Sequence, residues 1–237
     1  KRDFFHTGDK MLLTIIVSAL NEEKNIGNVL RTLDSQFDNE GREFDKTLYG
    51  VIVVDNGSID ATVENARRFR EQSKMSVGLT HEKERNIVSA RKAGVLEVEN
   101  NSHIYGNAKY LAFCDSDVLV PNNWVDSILT GFEKKNADVL SFNGSFPHLF
   151  WMRVPDLAER YMDEVGTLFF PQETIIHYGA QKRGVRFTSR IYSDFVRPPS
   201  GGFYAVRLNA YNQVGGYHRE FTEEGKEKTF AIVWNFR

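Results

Sequence analysis

Four short apolar runs in the first half of the chain, each followed by a stretch of helical apolar spacing, restrict the fold more than any other feature. Leu12 to Ser18 is β-branched and apolar, as suits a strand covered on both faces. Ile26, Leu30, Leu33 and Phe37 then recur at helical spacing. Gly50 to Val54 is a second strand, after which Asp60 can cap a helix carrying Val63, Ala66 and Phe69 on one face. Val77 to Thr80 is a weaker third strand, followed by a helix with Ile87, Ala90, Gly94 and Val98 in register. Tyr110 to Cys114 is a fourth strand, and beyond Pro121 the residues Trp124, Ile128 and Phe132 form the face of another helix. This alternation predicts an α/β protein with a mainly parallel sheet and helices on both faces. Ligands in such sheets sit beyond the C-terminal ends of the strands.

From about Asn143 to Pro199 the rhythm breaks down, and aromatic and basic residues with Pro198-Pro199 replace it. That stretch reads as an irregular elaboration on one domain, 1–237, in which 1–142 is the ligand-binding half and 143–237 the acceptor side. Lys and Arg (30) nearly balance Asp and Glu (32), for a net charge of -2, so a nucleic-acid partner is not expected. Cys114 is the sole cysteine, which fits a reducing, cytoplasmic setting. No apolar run approaches the roughly 20 residues that cross a bilayer. The chain starts at Lys1 without a methionine and stops at Arg237 inside the apolar-periodic run Phe230, Val233, Trp234. Truncation is therefore the expectation at both ends.

The residues that can carry chemistry fall at the strand ends. Leu111-Ala112-Phe113-Cys114 runs into Asp115-Ser116-Asp117. Two carboxylates so spaced can converge on one hard divalent cation, Mg²⁺ or Mn²⁺, which would bridge a diphosphate and neutralise charge on it as it leaves. The plainer alternative is a loop in which both aspartates cap the next turn. Val51 to Asp55, followed by Asn56-Gly57-Ser58-Ile59-Asp60, is a buried strand ending in a carboxylate and a turn pair. Asp55 could accept the imide N–H of a uracil, or simply belong to an ordinary β-to-α turn. Ile16 to Glu23 is a first strand running into an acidic helix start, where Glu23 has an adequate structural role.

Together, and in this order, these segments resemble the family-2 glycosyltransferases, which have the GT-A fold, a Rossmann-like sheet. The resemblance runs roughly from Leu13 to Glu227. It rests on Asn21-Glu22, on Asp55 through Asp60, on Ala90-Arg91-Lys92-Ala93-Gly94, and on Asp115 and Asp117 followed by Pro121. Farther on it rests on Gly201-Gly202-Phe203, Arg207, Gly215-Gly216-Tyr217 and Glu223-Glu224. The resemblance implies an inverting transferase that takes a sugar from a nucleoside diphosphate, UDP above all, to an acceptor hydroxyl. Asp55 would contact the base, with the backbone of Ala19 and Leu20 and the side chain of Glu22 shaping the nucleoside pocket. Arg91 would lie near the base or diphosphate, Asp115 with Ser116 at the ribose or metal, and Asp117 would be the main ligand of Mn²⁺ or Mg²⁺. Glu224 would be the general base, with Glu223 and Glu227 as rivals, because Glu223-Glu224 stands where Glu-Asp is usual. Gly201, Gly202, Tyr217 and Trp151 would lie on the acceptor side. The acceptor is left open among a glycan, a lipid-linked group, a protein side chain and a small metabolite, as is association with the inner face of a membrane. His218 and Arg219 stand where Asp-Glu is usual, and His177, Lys182, Arg183, Arg186 and Arg190 are either solvated surface or a site for an anionic acceptor.

Two rival readings use the same residues. A haloacid-dehalogenase-like phosphatase also has Asp-x-Asp after a buried strand, but on its first strand, whereas three strands precede Asp115 here. A degenerate transferase fold would bind sugar nucleotide without turnover. A dinucleotide oxidoreductase is excluded, since Ser18 to Glu23 contains no glycine.

Overall fold

The computed structural model describes residues 10–101, 105, 108–135, 137–142, 203–213 and 215–217. The expected alternation is present: β1 (Leu13–Ala19), α1 (Ile26–Asp34), β2 (Tyr49–Asp55), α2 (Thr62–Gln72), β3 (Ser76–His81), α3 (Ile87–Asn100), β4 (Tyr110–Asp115) and α4 (Trp124–Lys135). Three further elements follow among the described residues, β5 (Val139–Ser141), β6 (Phe203–Arg207) and α5 (Leu208–Gln213). The sheet order is β3-β2-β1-β4-β6-β5. The first four strands are parallel, and β6 closes antiparallel on β4.

The chain forms two compact units, Lys1–Leu140 with Gly201–Arg237, and Ser141–Ser200. The first of these holds the sheet, which is therefore not confined to residues 1–142: Phe203–Arg207 pairs with Tyr110–Cys114.

Every residue of β1 and β2 is buried, so at these two central strands neither face is left to water. Successive side chains point to opposite faces. Ile16, Ile52, Val54, Leu111, Phe113 and Tyr204 share a core with Ala90, Val95 and Val98 of α3 and Tyr211 of α5. On the other face the Tyr49 hydroxyl donates to the Leu33 carbonyl of α1 (2.8 Å), and Phe132 of α4 stacks on Tyr110 at 4.4 Å. Helices thus cover both faces.

Two local expectations change. Phe37 does not extend α1, which ends at Asp34; its amide donates to the Asn122 carbonyl (2.6 Å) and it bridges to Glu43. Asp60 does not cap α2, whose cap position is Ala61. It sits one residue earlier and accepts from the amide of Thr62 (3.0 Å) and from that of Glu23 (3.1 Å). From outside the cap position its carboxylate still satisfies the first amide of α2, while also holding the loop after β1.

Gly94 brings α3 down onto the sheet. A Cβ added there would stand 2.5 Å from Ile16 Cγ2 and 3.1 Å from Val54 Cγ2, so even alanine would force the helix outward. Arg91 rides on the same helix one turn toward the strand ends. Gly94→Val is expected to destabilise the protein by about 1–3 kcal/mol through overpacking. At roughly 2–4 °C per kcal/mol that is a clear fall in a thermal melt; an unchanged midpoint would mean that α3 is not held by this contact.

Arg207 lies at the far end of the sheet from the ligand edge, opposite Tyr110. Its Nη2 donates to the Phe132 carbonyl (2.9 Å) and its Nε to that of Ala137 (2.7 Å), satisfying the end of α4. This arginine holds the frame and, among the described residues, bonds to no candidate site residue.

Candidate functional site

The parallel register places the strand ends side by side. Ala19 pairs with Asp55, Asp55 with His81, and Ser18 with Asp115. Residues 26 to 97 positions apart thereby line one edge of the sheet, where β1, β2, β3 and β4 turn into their loops.

The loop after β1 is built on the loop after β2. Asn21 adopts a left-handed backbone (φ 56°), which asparagine tolerates better than most residues. Its amide donates to Ser58 Oγ (3.0 Å), and its side-chain oxygen accepts from the amide of Ile59 (2.9 Å). The Glu22 amide donates to Thr62 Oγ1 (2.7 Å), and Glu23 accepts from the amide of Ala61 (3.2 Å). Glu23 therefore has a structural role, but at the start of α2 rather than in the first turn of α1, which holds no acidic residue. The Glu22 carboxylate accepts from Asn25 (2.7 Å), holding the turn into α1, while Leu20 is exposed.

Asp55 is buried, with one oxygen accepting from the Ser58 amide (3.0 Å) and the other 2.8 Å from His81 Nδ1. Burial alone would raise its carboxyl, but the hydrogen bonds from Ser58 and His81 outweigh it and hold the group below the usual carboxylate range. It is ionised at neutral pH and can only accept, so Nδ1 of His81 carries a proton toward it. Asn56 ties three loops together. Its amide donates to the Ala19 carbonyl (2.9 Å) and its side chain to the carbonyls of Glu82 and Glu84. Gly57 follows with φ 85°, a conformation that makes glycine the fitting residue.

At the β4 end, Asp115 Oδ1 accepts from Arg91 Nη2 at 2.9 Å. Arg91 is 2% exposed and reaches the site from beneath, with its guanidinium 6.0 Å from the centre of the Tyr217 ring. Burial opposes its charge, yet Tyr217 and Asp115 raise its pKa above the ordinary value, so it is permanently cationic. Ser116 is buried and Asp117 is exposed. The Asp117 carboxylate makes no hydrogen bond or ion pair among the described residues. Burial, with both aspartates close by, pushes the Cys114 thiol far up and leaves it unreactive.

Residues 14–187, more than half of the chain, match the family described as Glycosyl transferase family 2. The chain belongs to that family. Among relatives of this family-2 chain, the glycosyltransferase AglE of Haloferax volcanii is 26% identical over 136 residues, 57% of this chain and 40% of that protein. The protein MJ0544 of Methanocaldococcus jannaschii, itself uncharacterized, is 29% identical over 135 residues, 56% of this chain and 52% of the relative. The chain thus spans about half or less of the curated relatives it matches. Among solved structures, the mannosyltransferase PcManGT of Pyrobaculum calidifontis, in complex with GDP-Man and Mn²⁺, aligns with a TM-score of 0.56 at 17% identity. That alignment covers 87% of this chain and 47% of the other, and it establishes the GT-A fold that the sequence led us to expect.

Within this family-2 frame, Ala19, Leu20, Glu22, Asp55, Asp115, Ser116 and Asp117 all fall on the strand-end edge, with Arg91 supporting Asp115 from α3. Tyr217, expected on the acceptor side, is 2% exposed; it meets Phe113 edge-on at 5.4 Å and shares a hydrogen bond with Tyr204. It is a core residue beside Arg91. Trp151, Gly201, Gly202, Glu223, Glu224 and Glu227, like His177, Lys182, Arg183, Arg186, Arg190 and His218, lie outside the described residues. Two site residues were not singled out from the sequence, His81 and the tethering role of Asn56. The signal for His81 was one residue away: ending the third strand at His81 rather than Thr80 puts it opposite Asp55. No described helix is long and apolar enough to cross a membrane.

Proposed function

We propose that this chain is the donor-binding part of an inverting glycosyltransferase that moves a sugar from a nucleoside diphosphate, UDP in the first place, to the hydroxyl of a glycan or lipid-linked acceptor. The observation that carries the reading is the row of Ala19, Asp55 and His81 beside Asp115 at one sheet edge, with Asp117 exposed next to it. An ionised carboxylate at Asp55 suits a base with a ring N–H. Family membership favours a transferase over the phosphatase reading.

A divalent cation fits the residues present. Asp115 and Asp117 are hard oxygen donors, and among the described residues no other His, Cys, Asp or Glu joins them as a third ligand. Mg²⁺ is commonly held by one or two carboxylates and substrate phosphates, and Mn²⁺ accepts the same oxygen donors. Such an ion would neutralise charge on the leaving diphosphate. Arg91 fixes one oxygen of Asp115 and leaves the other for a ligand, while Asp117 is not committed to the described fold. Glu224, read from the resemblance, would take the proton of the acceptor hydroxyl as its oxygen attacks the anomeric carbon, opposite the departing diphosphate, inverting that centre.

The test is a thermal-shift series with UDP, GDP and dTDP, each with Mn²⁺ and with chelator. A ligand at 100 times its dissociation constant adds roughly 2.7 kcal/mol, or about 5–10 °C here. We expect a metal-dependent rise that is largest for UDP. No rise with any of the three would overturn the reading.

A further inference from the structure

We propose that Gln36, with Thr32 beside it, is a positioning residue for Asp117: it fixes the loop that carries this carboxylate, so that the group is in place before a divalent cation arrives with the donor. This rests on the donor reading above. Asp117 stands on a short bridge of chain, 116–123, between the end of β4 and the start of α4. Its carboxylate makes no hydrogen bond or ion pair among the described residues, so the chain on either side decides where it lies. At the near end the Asp115 carboxylate is held by Arg91 of α3 (2.9 Å), and the Asp115 carbonyl accepts from the Val118 amide (3.3 Å). The far end, at Val120, Pro121 and the first turn of α4, is held from α1.

Gln36 lies just past the end of α1 and is fully buried. Its Nε2 donates to the Thr32 carbonyl (2.7 Å), in the last turn of α1, and to the Pro121 carbonyl (2.9 Å). Its Oε1 accepts from the Val125 amide (3.0 Å) at the start of α4. The amide nitrogen thus faces carbonyls and the oxygen faces an N–H, so turning the group over would set like against like at every contact. One side chain satisfies groups left open at the end of one helix and the beginning of another. Beside it, Thr32 Oγ1 accepts from the Val120 amide (3.4 Å), and the Phe37 amide donates to the Asn122 carbonyl (2.6 Å).

The bonds to Pro121 and Val125 straddle the point where the bridge enters α4, and so set where it lands. With Arg91 at the other end, the bridge is pinned on both sides of the exposed carboxylate. A cation with few protein ligands depends on finding them ordered, because any ordering left until binding is subtracted from affinity. Gln36 touches neither Ala19 nor Asp55, so its influence should fall on the cation and leave the base contacts alone.

The experiment measures Mn²⁺ binding at fixed UDP for the wild-type chain, Gln36→Met and Thr32→Val. Bound Mn²⁺ is read from the loss of the free-ion electron paramagnetic resonance signal, with the share taken by UDP alone subtracted. Methionine keeps roughly the shape of glutamine and makes none of its hydrogen bonds. UDP affinity in chelator is measured on the same samples, below each variant's own thermal midpoint. Gln36→Met is expected to weaken Mn²⁺ about tenfold, the lower end of what losing an outer support costs a metal site. UDP affinity in chelator should stay at the wild-type value, which separates a positioned cation ligand from a fold that has merely loosened. Thr32→Val removes the contact to Val120 and should shift Mn²⁺ in the same direction by less; it carries the test if Gln36→Met does not fold. Wild-type Mn²⁺ affinity in the folded variants, or an equal loss of UDP affinity in chelator, overturns the role of Gln36 and leaves the donor reading standing. A wild-type chain that binds no UDP with Mn²⁺ overturns both.

Discussion

Replacing Asp117 with alanine is expected to abolish metal-dependent donor binding while leaving the fold intact. The separation of the two effects follows from how the two aspartates are used. Asp115 is part of the frame: Arg91 holds one of its oxygens at 2.9 Å, and its carbonyl accepts from the Val118 amide. Asp117 is exposed, and its carboxylate has no described partner. Exposed substitutions away from structural contacts usually change stability by no more than about 0.5 kcal/mol. The thermal midpoint without ligand should therefore stay within a degree or two of wild type. The rise produced by UDP with Mn²⁺ should shrink to what chelator leaves, corresponding to a loss in donor affinity of at least about 100-fold, or roughly 2.7 kcal/mol. Unchanged donor affinity and unchanged metal dependence would remove Asp117 from the cation site. Asp115→Ala would be a poorer first experiment, because it also strips the buried Arg91 of its ion-pair partner.

The second large effect is at the base. Glu224→Gln should leave donor binding intact and lower transfer by about 10²–10⁴-fold, the usual contribution of a positioned general base. Glutamine keeps the size of the side chain and removes the group that takes the proton. The readout is UDP release in the presence of a competent acceptor, alongside calorimetric donor binding. If Glu227→Gln collapses turnover while Glu224→Gln does not, the base lies three residues later and the acidic segment aligns in a shifted register.

The row of polar residues at the strand ends was legible because it depends on where buried strands end. Runs such as Tyr49–Asp55 and Tyr110–Asp115 are apolar up to their terminal carboxylate, and strand order then follows from alternation with helices. Partnerships across the sheet were not legible. Arg91 was expected near the base or diphosphate and Asp115 at the ribose or metal, but that they hold one another depends on how deeply α3 settles at Gly94. Tyr217, after two glycines, resembled a residue waiting for an acceptor. Its neighbours Phe113 and Tyr204 come from strands distant in sequence, and only their stacking at 4.8 Å makes the bed in which it lies. Phe37 kept the helical period after the helix had ended, since a period of apolar residues does not record a backbone hydrogen bond to Asn122. His81 escaped notice because β3 is only half buried and its apolar signal fades before the strand does.

The antiparallel pairing of β6 with β4 also sets an order of assembly. During synthesis, Leu13 to Asp115 emerges with all four parallel strands complete, but the free side of β4 waits until Phe203–Arg207 is made. Nearly 90 residues intervene, a delay on the order of ten seconds at ribosomal speeds. For that interval the strand leading to Asp115 and Asp117 presents an open, apolar edge, Tyr110 to Cys114, of the kind that recruits other chains. A nascent or shortened chain ending before residue 203 carries this edge uncovered, so the return of the polypeptide to the sheet protects solubility as well as completing the core.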